Sequence, residues 1–145
     1  MIRPKRRQLP HEVPPWVEDG ACYFLTICAG NRSGGVLLSC ADVLLSAARH
    51  YHEHGRWFLR LFVLMPDHVH LLAHFPQEPG LRQIVNAWKR FTARHGGFSW
   101  QRDFFEHRLR HDESFDEKAS YVRMNPVRAG LCASWEDWPH RWPQD

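Results

Sequence analysis

The fold turns on RWFLRLFVLMPDHVHLLAHF, Arg56–Phe75. Two runs rich in branched and aromatic residues, RWFLRLFVLM and HVHLLAHF, flank Met65-Pro66-Asp67. Such side chains fit a pleated, half-buried surface, so both runs read as strands. Pro66 has no N–H to give to a ladder, so the chain turns there and the strands pair as a hairpin. Alternate residues of a strand share a face. His68, His70, Leu72 and His74 therefore point one way, and Val69, Leu71, Ala73 and Phe75 the other.

Upstream, CYFLTIC (Cys22–Cys28) is another strand, followed by the turn-rich GNRSGG. Ser39 is placed to cap a helix in which Val43, Leu44, Ala47, Ala48 and Tyr51 keep the 3.6-residue period, and Gly55 ends it. Downstream, Pro79-Gly80 breaks the chain. Leu81, Ile84, Val85, Trp88 and Phe91 then mark the buried face of a second helix, with Arg82, Asn86, Lys89, Arg90 and Arg94 opposite. Gly96-Gly97 stops it, and FFEHRL (Phe104–Leu109) is a fourth strand. Ser114-x-x-Glu117 is a capping box for a short helix that buries Phe115, Ala119 and Val122, and Asn125-Pro126 ends it. The order is β-α-β-β-α-β plus one helix. It predicts an α+β, ferredoxin-like fold: a four-stranded antiparallel sheet with two helices on one face and an extra C-terminal helix.

The chain has 145 residues, enough for one domain. Residues 1–20 carry four prolines and read as an irregular basic arm before a single domain over 21–145. With 43% hydrophobic and 13% aromatic residues the composition is globular. No apolar run approaches the roughly 20 residues of a membrane span, and no apolar segment follows the basic start, so the expected location is cytoplasmic. Cys22, Cys28, Cys40 and Cys132 form no C-x-x-C pair and read as reduced, buried thiols. Net charge is +3, but it is unevenly distributed. Seven basic residues lie between Arg82 and Arg110, and Asp112, Glu113, Asp116 and Glu117 follow as an acidic cluster. A basic flank of this kind can attract a phosphate backbone without the whole domain being basic.

Two constellations could carry chemistry. His68 and His70 stand about 7 Å apart by their backbones, within reach of a shared metal. The pair alone is more often an ordinary polar strand face, and His74 is assigned to sheet surface. In SYVRMNPVRAG (Ser120–Gly130), Tyr121 and Asn125 stand at i and i+4 on one helical stripe. Tyrosine can be a covalent nucleophile, though a helical tyrosine more often packs with a wet hydroxyl. Asp67, His107 and His111 read as orienting or structural residues.

LMPDHVHLL, WQRDFFEHRLR and SYVRMNPVRAGL, in this order and at these separations, resemble the single-tyrosine HUH transposases of the IS200-like type, and within them the REP-associated tyrosine transposases. The similarity runs from about Tyr23 to Trp138. It implies a ferredoxin-like sheet with His68 and His70 as metal ligands, Tyr121 as the nucleophile on the C-terminal helix, and Asn125 as the third ligand. The implied cofactor is Mg2+ or Mn2+, with no nucleotide. The implied reaction is attack of Tyr121 on a phosphodiester of single-stranded or hairpin DNA, giving a 5'-phosphotyrosine that another DNA end can reverse. A bacterial, nucleoid-associated protein is implied, acting as a monomer, with a dimer as the alternative. Lys5, Arg6, Arg7, Lys89, Arg90 and Arg94 are the candidate DNA contacts, and Lys118 is a candidate stabiliser of the phenolate or the phosphate. Trp135, Trp138 and Trp142 suit either stacking on unpaired bases or core packing. Two rival functions stay open: a palindrome-binding protein with little or no turnover, and a metal-dependent phosphohydrolase in which Tyr121 only packs.

Overall fold

The computed structural model describes residues 13–18, 20–110 and 114–144. Lys5, Arg6, Arg7 and His111 lie outside the described residues. In chain order the elements are α1 (Pro15–Glu18), β1 (Tyr23–Cys28), α2 (Val36–Ser39), α3 (Ala41–Glu53), β2 (Phe58–Leu64), β3 (His68–His74), α4 (Leu81–Gly96), β4 (Phe105–Arg108), α5 (Phe115–Arg123) and α6 (Asn125–Arg128). A 3-10 turn over Trp135–Asp137 and a short strand β5 (Arg141–Trp142) close the chain.

The strands form one antiparallel sheet in the order β4-β1-β3-β2-β5. Its first four strands are the ferredoxin-like arrangement that the sequence predicts, and the hairpin turns at Pro66 as expected. Helices α3 and α4 cover one face, where Leu25, Ile27, Val69, Leu71, Ala73, Trp57 and Trp88 form the main core. A second cluster, of Leu61, Val63, Met65, Leu72, Ala119, Val122 and Trp138, puts α5 and the C-terminal tail on the opposite face.

A register shift between Leu59 and Leu61 serves both clusters. Strict alternation would put Leu59, Leu61 and Val63 on one face. The extra residue, Arg60, lets Leu59, Phe62 and Leu64 join the main core while Leu61 and Val63 meet α5.

Several expectations are corrected. Ser39 does not cap the long helix, because the left-handed Gly34 and Gly35 start a helical turn early and Ser39 Oγ donates to the Val36 carbonyl at 2.6 Å. Cys40 holds the N-cap position instead. On α4 the buried stripe steps from Trp88 to Thr92, because a 3.6-residue period drifts off strict three-residue spacing. Phe91 is left 45% exposed, stacked on His95 at 4.1 Å. Lys89 is buried rather than on the wet face: its Nζ donates to the carbonyls of Gln101 and Arg102, both at 2.9 Å. His74 is buried rather than sheet surface, with Nε2 3.3 Å from Arg60 Nη1. Within the first 20 residues the expected irregular arm contains α1, whose Val17 is buried. Proline suits the first position of that turn because its missing N–H would have no partner there anyway.

Asn125-Pro126 ends α5 but does not end the helical path, because Pro126 enters at the start of α6. The fifth strand was not legible as a two-residue segment. Its tail nevertheless resolves the tryptophans as packing residues. Trp138 is buried with Nε1 donating to the Leu64 carbonyl at 3.1 Å, Trp142 packs on the main core, and Trp135 lies under the Arg141 guanidinium. All four cysteines are free thiols, with Cys40 buried and the others half-buried. No helix among the described residues is long and apolar enough to cross a membrane.

Candidate active site

The antiparallel register decides what surrounds the two histidines. Cys28 pairs with His68, Thr26 with His70, and Phe24 with Leu72. The two imidazole centroids are 4.6 Å apart. His68 Nδ1 lies 2.7 Å from Asp67 Oδ1, and the other carboxylate oxygen of Asp67 accepts from Arg32 Nε at 2.9 Å. Burial pushes the Asp67 carboxyl up, but the hydrogen bonds from His68 and Arg32 outweigh it and hold the carboxyl below its usual value. A carboxylate on Nδ1 fixes the tautomer that leaves Nε2 as the free lone pair.

His70 Nδ1 is 2.9 Å from Thr26 Oγ1, and its ring stacks on Phe24 at 5.3 Å. Burial, then the neighbouring His68, then the Arg128 and Lys118 charges push its pKa down to about 3. His70 is therefore neutral near pH 7, the form that ligates a metal. In each ring Nδ1 is the nitrogen that the neighbouring side chain, Asp67 or Thr26, engages. Among the described residues no three His, Cys, Asp or Glu side chains converge on one point. The donor set thus fits a metal held by two imidazoles and completed by other oxygens.

Helix α5 crosses the same face of the sheet. Its N-cap forms as the sequence predicts, with Ser114 Oγ accepting from the Glu117 N–H at 3.1 Å. Ala119 and Val122 are buried against Leu61, Val63 and Leu72, which leaves Tyr121 60% exposed. Lys118 Nζ lies 4.9 Å from the Phe24 ring and 5.9 Å from the Tyr121 ring. The Arg128 guanidinium lies over the Tyr121 ring at 4.2 Å. Its Nη2 donates to the Tyr121 carbonyl at 2.8 Å and to Asn125 Oδ1 at 3.0 Å. Asn125 Oδ1 thus accepts from Arg128 with one lone pair and keeps a second.

The histidines, Asp67, Lys118 and the α5–α6 junction therefore share one face. Arg90 and Arg94 are exposed, but α4 lies across the sheet. Lys89, read from the sequence as a DNA contact, is buried with its ammonium on the Gln101 and Arg102 carbonyls of its own chain. Sequence reading missed Thr26, Phe24 and Arg128. The first two become visible only through the β1–β3 register. Arg128 lies seven residues after Tyr121 and carries a helical-spacing signal only if α6 continues the path past Pro126.

A family model described as "Transposase IS200 like" matches residues 21–125, a span that contains His68, His70 and Tyr121. The chain belongs to the IS200-like transposase family. This IS200-like chain is 26% identical to the REP-associated tyrosine transposase of Escherichia coli K12, over 83% of its own length and 74% of the relative's. It is 28% identical to a Haemophilus influenzae protein that provisionally bears the same name, over 83% of this chain and 78% of that one. A REP-associated tyrosine transposase solved bound to a REP hairpin shares the fold, with a TM-score of 0.75 at 22% identity over 97% of this chain and 82% of that one. The resemblance read from the three motifs and the ferredoxin-like expectation are both borne out.

Proposed function

We propose that this transposase-family chain is a metal-dependent endonuclease and strand transferase acting on single-stranded DNA beside a hairpin. The observation that carries the proposal is the position of an exposed tyrosine, flanked by two cations, on the sheet face that bears His68, bonded to a carboxylate, beside a neutral His70. The DNA partner is inferred from family membership and from the relative bound to a REP hairpin.

His68 and His70 would hold Mg2+ or Mn2+, with Asn125 as the third candidate, and the ion would supply Lewis-acid polarisation of the phosphate. Asp67 keeps His68 in the ligating tautomer. Tyr121 Oη forms the bond to phosphorus as the bond to the 3' oxygen breaks. The phenolic proton passes to solvent, and the leaving oxygen takes one up as a 3'-hydroxyl. Lys118 and Arg128, beside the Tyr121 ring, favour the negative charge of the phosphate it attacks. A hydroxyl from another DNA end attacks the phosphotyrosine and restores the phenol, so joining needs no nucleotide. The proposed protein acts as a monomer in the bacterial cytoplasm.

The test is incubation with a single-stranded hairpin oligonucleotide and Mn2+, followed by denaturing electrophoresis. A protein-DNA band is expected that Tyr121→Phe abolishes. A band that persists in Tyr121→Phe removes the assignment of the nucleophile. Cleavage without adduct replaces the proposal with a hydrolase, and tight binding with neither replaces it with a palindrome binder.

A further inference from the structure

β4 carries Phe105 at 57% exposure on the edge of the sheet. An exposed phenylalanine is by itself ordinary. The position of this one is not, because Phe105 pairs with Thr26, and Thr26 pairs with His70 on its other side. Cross-strand partners share a face, so Phe105 lies in the His70 row, two interstrand spacings or about 10 Å away by backbone.

Its ring meets Phe24 edge-on at 6.1 Å and 67°. Phe24 is itself engaged, stacked on His70 and capped by Lys118 Nζ. The three rings form a continuous aromatic shelf from the metal-ligand pair to the sheet edge, with its outer end open. The acid of that strand, Glu106, pairs with Leu25 on the opposite face and lies 3.7 Å from Arg82 there. On the shelf's own side Lys118 and Arg128 supply positive charge that suits a phosphodiester.

We propose that Phe105 is a stacking platform for one unpaired nucleobase adjoining the phosphate that Tyr121 attacks. The proposal rests on the nuclease reading for its substrate, but the binding step can be measured without the chemistry. An aromatic platform accepts any base, so it anchors the strand, and the cations beside it hold the backbone. Phe24, half-buried between His70 and Lys118, supports Phe105 from within.

The experiment is fluorescence anisotropy of a labelled oligothymidylate, over a range of salt, in the metal-free Tyr121→Phe chain. Phe105→Ala is compared with Phe105→Trp and with Phe91→Ala, another exposed aromatic, on the far helical layer. Phe105→Ala is expected to weaken binding about 5- to 100-fold with the salt slope unchanged, because a stacked base releases no counterions. Phe105→Trp is expected to restore binding, and Phe91→Ala to leave it as it was. Equal affinity of Phe105→Ala and its parent, or no binding by the parent, overturns the platform. Adduct formation by the unsubstituted chain with Mn2+ is scored separately. A platform effect without any adduct removes the nuclease reading alone, and an adduct without a platform effect removes only this inference.

Discussion

His70→Gln should flatten the dependence of stability on acid pH, by an amount that follows from the burial of one ring. In the unfolded chain His70 takes up a proton below about pH 6.5, whereas in the fold its pKa is pushed down to about 3. Between those values the unfolded state binds a proton that the native state does not, so folding weakens as pH falls through this window and is unaffected above it. Each unit is worth about 1.4 kcal/mol. Relative to pH 7.5, the contribution of His70 is a loss of about 1.4 kcal/mol at pH 5.5 and about 2.7 kcal/mol at pH 4.5. His74 and His140 are shifted in the same direction but are present in both proteins, so the difference isolates His70. Glutamine is close in size, can still bond Thr26 Oγ1, and does not titrate. Urea denaturation of metal-free protein at the three pH values gives the comparison. Parallel stability curves for the two proteins would show that His70 is not held neutral by its surroundings, and the electrostatic account of the histidine pair would fail.

Asp67→Asn removes the charge on His68 Nδ1 and is expected to weaken Mn2+ binding about 10- to 100-fold, read by calorimetry. Arg128→Met removes both hydrogen bonds that brace Tyr121 and Asn125, and should slow adduct formation about 10- to 100-fold with little change in the melting temperature. Arg128→Lys should not rescue it, since an ammonium lacks the fork that bonds two oxygens while lying flat over a ring. Lys89→Met leaves two internal carbonyls without their donor and is expected to cost about 1–3 kcal/mol in a denaturant titration. Its DNA-binding salt slope should stay unchanged, whereas loss of a phosphate contact would lower that slope by about 1.

Short-range patterns made much of this molecule legible. The alternation in HVHLLAH set the faces of β3, proline fixed the hairpin turn, and the Ser114 cap located α5, because each depends on local geometry that one segment carries alone. Lys89 shows where such reading ends. Its spacing put it on the polar face of α4, but the loop through Gln101 and Arg102 folds over it and offers two carbonyls. The bulge at Arg60 is likewise invisible in FLRLFVL, because it exists only relative to β3.

The sequence by itself determined the order of the first four strands and of α3, α4 and α5, the shared face of His68 and His70, and the family motifs that join them to Tyr121. Only the tertiary structure decided which partners these residues meet: Asp67 and Arg32 on His68, Thr26 and Phe24 on His70, Arg128 on Tyr121 and Asn125, and Phe105 in the His70 row. Periodicity fixes which way a side chain points, but a neighbour from another strand or helix is fixed by register and packing, which no single segment encodes.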